Sequence, residues 1–266
     1  MLVKLPKIFK PKFFSKLERI GNLNDGGYVI SSLSIKNSKY LVSLGIYDDW
    51  SFERDFLNRN KNCKLYAYDN YPTNSFFFKY YAKKLVYFFF DLNLKSFFSK
   101  LDIIFFYYFF FNKTKKIHIK KLVVPNKFLN SNNNFDNKLI KFNDIFKGLG
   151  KKKIFLKIDI EGNEYRLLDD IIRSNIDFEG IVIEFHNCDL MFKNIEAFIK
   201  KINLDLIHVH VNNYGQIYRS NFPAVIELSF SKKKYNQPLR KKVNYPLKFL
   251  DSPNDKLKKD FNINFI

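Results

Sequence analysis

Two short runs constrain this chain more than anything else in it. Ile154-Phe-Leu-Lys-Ile158 and Ile181-Val-Ile-Glu-Phe185 are each apolar at four of five positions. A strand with one wet face alternates, whereas near-continuous apolarity marks a strand covered on both faces, as in a parallel sheet flanked by helices. Five more runs bounded by polar or turn residues read as strands: Tyr40–Leu44, Lys64–Tyr68, Ile117–Val124, Leu206–Val211 and Ala224–Phe230. Helical faces fall between several of them. Phe52, Phe56 and Leu57 form one, Tyr165, Leu168, Ile171 and Ile172 a second, and Ile195, Phe198, Ile199 and Ile202 a third. This alternation predicts an α/β fold with a doubly wound, mostly parallel sheet. The last two strands are joined by Asn212–Pro223 alone, which suits a terminal hairpin with an antiparallel strand.

The chain divides into a segment 1–39 that packs on the core, a main domain 40–230, and a basic C-terminal tail 231–266, which begins with Ser231–Lys242 and should be the least ordered region. Residues 74–111 break the strand–helix rhythm. They are crowded with Phe and Tyr and interrupted by Lys83, Lys84, Asp91, Lys95, Lys100 and Asp102. They read as an aromatic-rich helical insert, or as a lid or membrane-surface element whose lysines meet anionic lipid. Asn130–Lys138 is an Asn-rich loop.

With 46 Lys and Arg against 26 Asp and Glu, the formal charge is +20, a field that attracts anions. No helix-turn-helix, zinc-finger or RNP-type pattern accompanies it, so no specific nucleic-acid partner is expected. Peripheral contact with an anionic membrane stays open. Cys63 and Cys188 sit in unrelated contexts, without zinc spacing or a disulfide framework, as in a reducing compartment. Met1–Phe14 is basic without an apolar h-region, and Ile103–Phe111 is too short to span a bilayer. A cytoplasmic location is expected.

Ligands of an open parallel sheet lie beyond the carboxyl ends of its strands. After the first strand comes Ser43-Leu-Gly-Ile-Tyr-Asp-Asp-Trp50, where Gly45 permits close backbone approach. After the second comes Asp69, 24 positions beyond Gly45, where an acid would hold ribose hydroxyls. One glycine cannot cradle a pyrophosphate, so a nucleoside without phosphates fits better, and S-adenosylmethionine is one. The fourth strand runs into Lys157-Ile-Asp159-Ile-Glu161-Gly162. Asp159 and Glu161, at i and i+2, could hold a sulfonium or amine, act as bases, ligate a metal, or simply cap the next helix. Glu184-Phe-His186-Asn187 ends the fifth strand, and the sixth carries His208-Val-His210. Three histidines are thus expected on one rim near Asp159. They would serve as a general base, His186 first and His208 second. Equally, Asp159, Glu184, His186 and His208 or His210 could bind a divalent cation such as Mg²⁺.

In order along the chain, Asp25-Gly-Gly-Tyr28, Ser43-Leu-Gly-Ile-Tyr-Asp-Asp49 with Phe52-Glu53, Ala67-Tyr-Asp69, Leu156-Lys-Ile-Asp-Ile-Glu-Gly162, Ile183-Glu-Phe-His186, His208-Val-His-Val-Asn-Asn-Tyr214 and Glu227-Leu-Ser229 resemble the FkbM family of methyltransferases. The resemblance implies a class I methyltransferase (Rossmann-like) fold, S-adenosylmethionine as cofactor, and O-methylation of a saccharide or small-molecule acceptor. Gly45 and Asp69 would contact the cofactor, joined by Gly27, Asp48 and Asp159, with Asp159 and Glu161 at the reaction centre. The single-glycine first motif and the Phe/Tyr-packed segment 74–111 depart from the family pattern. Two other readings compete. Asp159-Ile-Glu161 also resembles the acidic metal motif of nucleotide-sugar glycosyltransferases, and the lysine surface with its aromatic insert could belong to a non-catalytic binder of anionic membranes or nucleic acid.

Overall fold

A computed structural model describes residues 2–72, 106–111, 114–128, 137–150, 152–217, 221–239 and 243–266. Seven strands form the central sheet: β1 (Tyr40–Leu44), β2 (Lys64–Tyr68), β3 (Lys116–Ile119), β4 (Lys152–Ile158), β5 (Asp177–Phe185), β6 (Asp205–Val211) and β7 (Ile226–Ser231). Their spatial order is β3-β2-β1-β4-β5-β7-β6. Only β7 runs antiparallel, inserted between β5 and β6.

Pleating sends alternate residues of each strand into two separate cores. Val42, Leu156, Ile158, Ile181 and Ile183 pack on one face with α3 (Leu168–Arg173) and α4 (Cys188–Lys201). Leu41, Phe155 and Val182 pack on the other with α1 (Ser32–Asn37) and α2 (Ser51–Arg59). Each fully buried side chain of this size contributes about 2 kcal/mol by leaving water. Helices on both faces explain why the inner runs of β4 (154–158) and β5 (181–185) are apolar at all but one position each. The architecture is the Rossmann-like, doubly wound one that was expected, with its C-terminal antiparallel strand. The order in which the chain adds strands reverses between β1 and β4, and ligands of such sheets bind at that reversal.

The expected third strand, Ile117–Val124, is two elements. β3 ends at Ile119, the Lys121 N–H turns back onto the Ile119 carbonyl (2.7 Å), and Leu122–Val124 pairs in parallel with Leu139–Lys141. Of the aromatic insert 74–111, only residues 106–111 are described. Residues 106–110 are helical, and Tyr107 packs edge-on against Trp50. The remainder of the insert, and all but residues 137 and 138 of the Asn-rich loop, lie outside the described residues.

The C-terminal segment does not trail from the domain. Gln237–Pro238 pairs with Phe13–Phe14, and Asn262–Phe265 pairs with Leu2–Leu5. Lys232, in the stretch expected to be least ordered, reaches Asp177 (2.5 Å) and the buried Glu179 (3.2 Å). Tyr245 and Phe261 are buried. Charge alone suggested a tail, and nonlocal partners fasten it. No helix among the described residues is long and apolar enough to cross a membrane.

Candidate functional site

A cleft of about 790 Å³ opens at the carboxyl rim beyond the ends of β1 and β4. Gly45, Asp48, Asp69, Asp159 and Glu161 line it together, as do Asp25, Gly26, Lys157 and Glu184. Gly45 has φ +82°, and a Cβ there would lie 1.7 Å from the carbonyl oxygen of Asp159. Its freedom therefore serves the approach of two strand ends, where the sequence suggested approach to a ligand. The Asp159 N–H completes the contact by donating to the Leu44 carbonyl (2.9 Å).

Asp69 holds the loop after β1. One carboxylate oxygen accepts the N–H groups of Ile46 and Tyr47 (2.9 Å each), and the other accepts that of Tyr71 (2.8 Å). With about two acceptor positions per oxygen, one position on the second oxygen is left for a ligand hydroxyl. Burial pushes the Asp48 carboxyl up from its ordinary value, and the neighbouring Asp49 adds to the effect. Beside them stands an apolar wall made by residues 122–125 and Phe128.

The opposite end is acidic. Glu161 and Gly162, at φ 54° and 95°, turn the chain at the end of β4. The turn is held by the buried Glu164, one of whose oxygens accepts the Ile160 and Gly162 N–H groups (3.1 Å each). The same oxygen meets His186 Nδ1 at 3.1 Å. An Nδ1–H donated to Glu164 leaves Nε2 facing Glu161 (3.5 Å) and Glu184 (3.6 Å) at the rim. Burial opposes the charged imidazole of His186, but Glu164 outweighs it, with Asp159 and Glu161 adding, and its pKa is raised.

The fully buried Tyr28 hydroxyl lies 3.0 Å from Asp159 Oδ2 and 2.9 Å from Glu184 Oε2. It has one proton and can serve only one carboxylate at a time. Asn212 donates to the other oxygen of Glu184 (2.9 Å). Burial pushes Glu184 well above the usual carboxylate range, reinforced by Asp159 and Glu227. Asp159, Glu184 and His186 each offer one atom within 4.8 Å of the others. Such a carboxylate–imidazole set is able to hold a divalent cation.

Not every expected residue reaches this place. His208 and His210 lie within β6, at the sheet edge beyond β7, 1% exposed and covered by the C-terminal segment. His208 Nε2 meets Asp251 at 3.1 Å, and His210 joins Glu227 (3.2 Å) to Asp260 (3.0 Å). The three histidines therefore do not converge. The hairpin puts β7 between β5 and β6, and the covering carboxylates come from a segment read as a tail. Gly27 is also displaced: a Cβ there would fall 1.9 Å from the Asn22 carbonyl oxygen, and the cleft wall is made by Gly26. Sequence reasoning gave no role to Tyr28, Glu164 or Lys157. A lysine interrupting the apolar run of β4 was the available signal for the last.

No known family profile matches the chain, and no curated protein matches it. Solved structures of similar chain path include a fibrillarin/Nop5p complex, with 10% identity, 74% of this chain and 73% of that one covered, and a TM-score of 0.37. A precorrin-6y C5,15-methyltransferase from Geobacter metallireducens gives 14%, 76%, 84% and 0.35 on the same measures. The fibrillarin pre-rRNA processing protein of Methanococcus jannaschii gives 9%, 85%, 84% and 0.37. Likeness at this level carries no residue or activity over to this chain.

Proposed function

We propose that the chain is an S-adenosylmethionine-dependent O-methyltransferase of the FkbM type, acting on a hydroxyl of a saccharide or related small molecule. One observation carries the reading: a single cleft at the strand-order reversal is lined by Gly45, Asp48 and Asp69 at one end and by Asp159, Glu161 and Glu184 at the other. The first end suits a nucleoside, with an acceptor position on Asp69 for a ribose hydroxyl and the wall of residues 122–125 for a base. No run of glycines cradles phosphates there. When bound, the cofactor supplies an electrophilic methyl group. The protein's part is to align donor and acceptor and to remove the acceptor's proton. Asp159 would balance the sulfonium, and His186 Nε2, beside it at the rim, would take the proton. The free, buried Cys63 and Cys188 suit a cytoplasmic location, and the excess of lysine would favour peripheral contact with anionic membrane.

A second reading of the proton step follows from the grouping of Asp159, Glu184 and His186. A divalent cation there would acidify the acceptor hydroxyl directly. Calorimetric titration with S-adenosylhomocysteine, with and without Mg²⁺, tests both. Binding is expected in either condition, and tighter binding with the metal selects the second reading. Absence of heat at high ligand concentration removes the methyltransferase proposal. It would return attention to a sugar-nucleotide site or to a non-catalytic anion-binding protein.

A further inference from the structure

Among the described residues, two basic side chains line the cleft, the exposed Arg166 and Lys157, which is 4% exposed. Lys157 is buried because β4 carries it between the two strand ends. Its ammonium sits 5.8 Å from the Tyr28 ring centre and 6.0 Å from that of Phe52. It donates to the Gly45 carbonyl (2.9 Å) and lies 3.5 Å from Glu53 Oε1. Glu53 is 0% exposed, and the same oxygen accepts the Ser43 hydroxyl. An ammonium has three hydrogens, and these partners take two. Placing a lysine here merely to hold the Gly45 carbonyl would be a costly choice, since a buried ion pair often gains little over apolar packing. The same cleft wall presents Asp25, Asp49, Asp159 and Glu184. One buried ammonium and several carboxylates facing one space complement a zwitterion.

We infer that Lys157 is a specificity-determining residue: its third N–H receives the carboxylate of an α-amino-acid group, whose ammonium is met by the acids of the wall. The cleft then selects adenosine derivatives that end in an amino acid over those that do not. This rests on the methyltransferase reading and names the part of the cofactor that the chain discriminates.

The test compares three ligands by calorimetry on the full chain. S-adenosylhomocysteine carries the whole zwitterion, its decarboxylated analogue keeps only the amine, and 5′-methylthioadenosine has neither. The wild type should bind S-adenosylhomocysteine roughly tenfold to a hundredfold more tightly than the decarboxylated analogue, the size of one hydrogen bond between charged groups. Lys157→Met should remove that difference and leave 5′-methylthioadenosine binding within about twofold. Because Lys157→Met strands Glu53, the double variant K157M/E53Q serves as a second test with the same expected pattern. Equal affinity of the wild type for S-adenosylhomocysteine and its decarboxylated analogue overturns the inference and leaves the methyltransferase reading standing. Equal loss of all three ligands in both variants also overturns it, since Lys157 would then only support the fold. If none of the three binds the wild type, the cofactor reading fails and the inference falls with it.

Discussion

His186 and His210 are both surrounded by carboxylates, yet they belong to different parts of the machine. His186 follows the last residue of β5 and keeps 15% of its side chain exposed, with Nδ1 engaged by Glu164. Its Nε2 faces carboxylates at 3.5 and 3.6 Å, beyond close hydrogen-bonding range. His210 lies inside β6 with both nitrogens engaged, Nδ1 by Glu227 and Nε2 by Asp260. A proton acceptor needs an open nitrogen, and a brace needs two closed ones. Residue type and neighbouring charge are therefore insufficient. What separates the proposed base from the brace is the position along the strand and what lies over it.

The largest expected effect falls on the rim histidine. His186→Ala should lower methyl transfer by roughly 10²–10⁴-fold, the usual contribution of a general base. S-adenosylhomocysteine affinity should stay nearly unchanged. Labelled S-adenosylmethionine turned over against a panel of mono- and oligosaccharides measures the first, and calorimetry the second. A variant that methylates normally would erase the contrast, because His186 would then be as structural as His210.

The converse substitution tests the brace. His210→Ala leaves the buried Glu227 facing the half-buried Asp260 without the imidazole between them, a loss of about 3 kcal/mol, the lower bound for breaking a buried charge pair. Urea unfolding should show it as a lower midpoint. An unchanged midpoint would mean that the C-terminal segment is held without the imidazole. The pH dependence sharpens the point. Burial opposes a charged His210, but Glu227 and Asp260 outweigh it and raise its pKa well above the ordinary 6.5. A raised folded-state pKa gives stability that is fully present below the unfolded value and is lost as pH climbs through the folded one. Wild-type unfolding midpoints should therefore fall on the alkaline side, and those of His210→Gln should lose that part of the slope.

This contrast also shows where sequence reading stops. The apolar runs located the strands because burial on both faces leaves a local mark, and the ends of β1 and β2 fall at Tyr40, Leu44, Lys64 and Tyr68 as expected. Asp159 and Glu161 reach the rim because they directly follow β4. The roles of His208 and His210 depend on Asp251 and Asp260, 43 and 50 positions downstream, and no local pattern announces those pairings. The same holds for β5, which begins at the polar Asp177-Phe-Glu179 because Glu179 is met by Lys232 and Tyr235. Tyr28 was visible as a letter of the Asp-Gly-Gly-Tyr segment, but its role exists only where β4 and β5 bring two carboxylates to its hydroxyl.

Tyr28 gives the smallest of the expected effects and asks whether the rim differs from the brace in stability as well as in chemistry. Tyr28→Phe keeps the ring and its edge-on contact with Phe52, at 5.6 Å between centres, and removes only the hydroxyl shared by Asp159 and Glu184. One donor lost between two carboxylates costs about 1–3 kcal/mol when both are buried and stay unsatisfied. Asp159 is half-buried and open to the cleft, so water can replace the donor on its side, and the expected loss lies near the lower bound. The urea midpoint should accordingly move less than in His210→Ala. A larger shift than that of the histidine variant would show that the acid end is itself a load-carrying part of the fold, and the division between rim and brace would have to be redrawn.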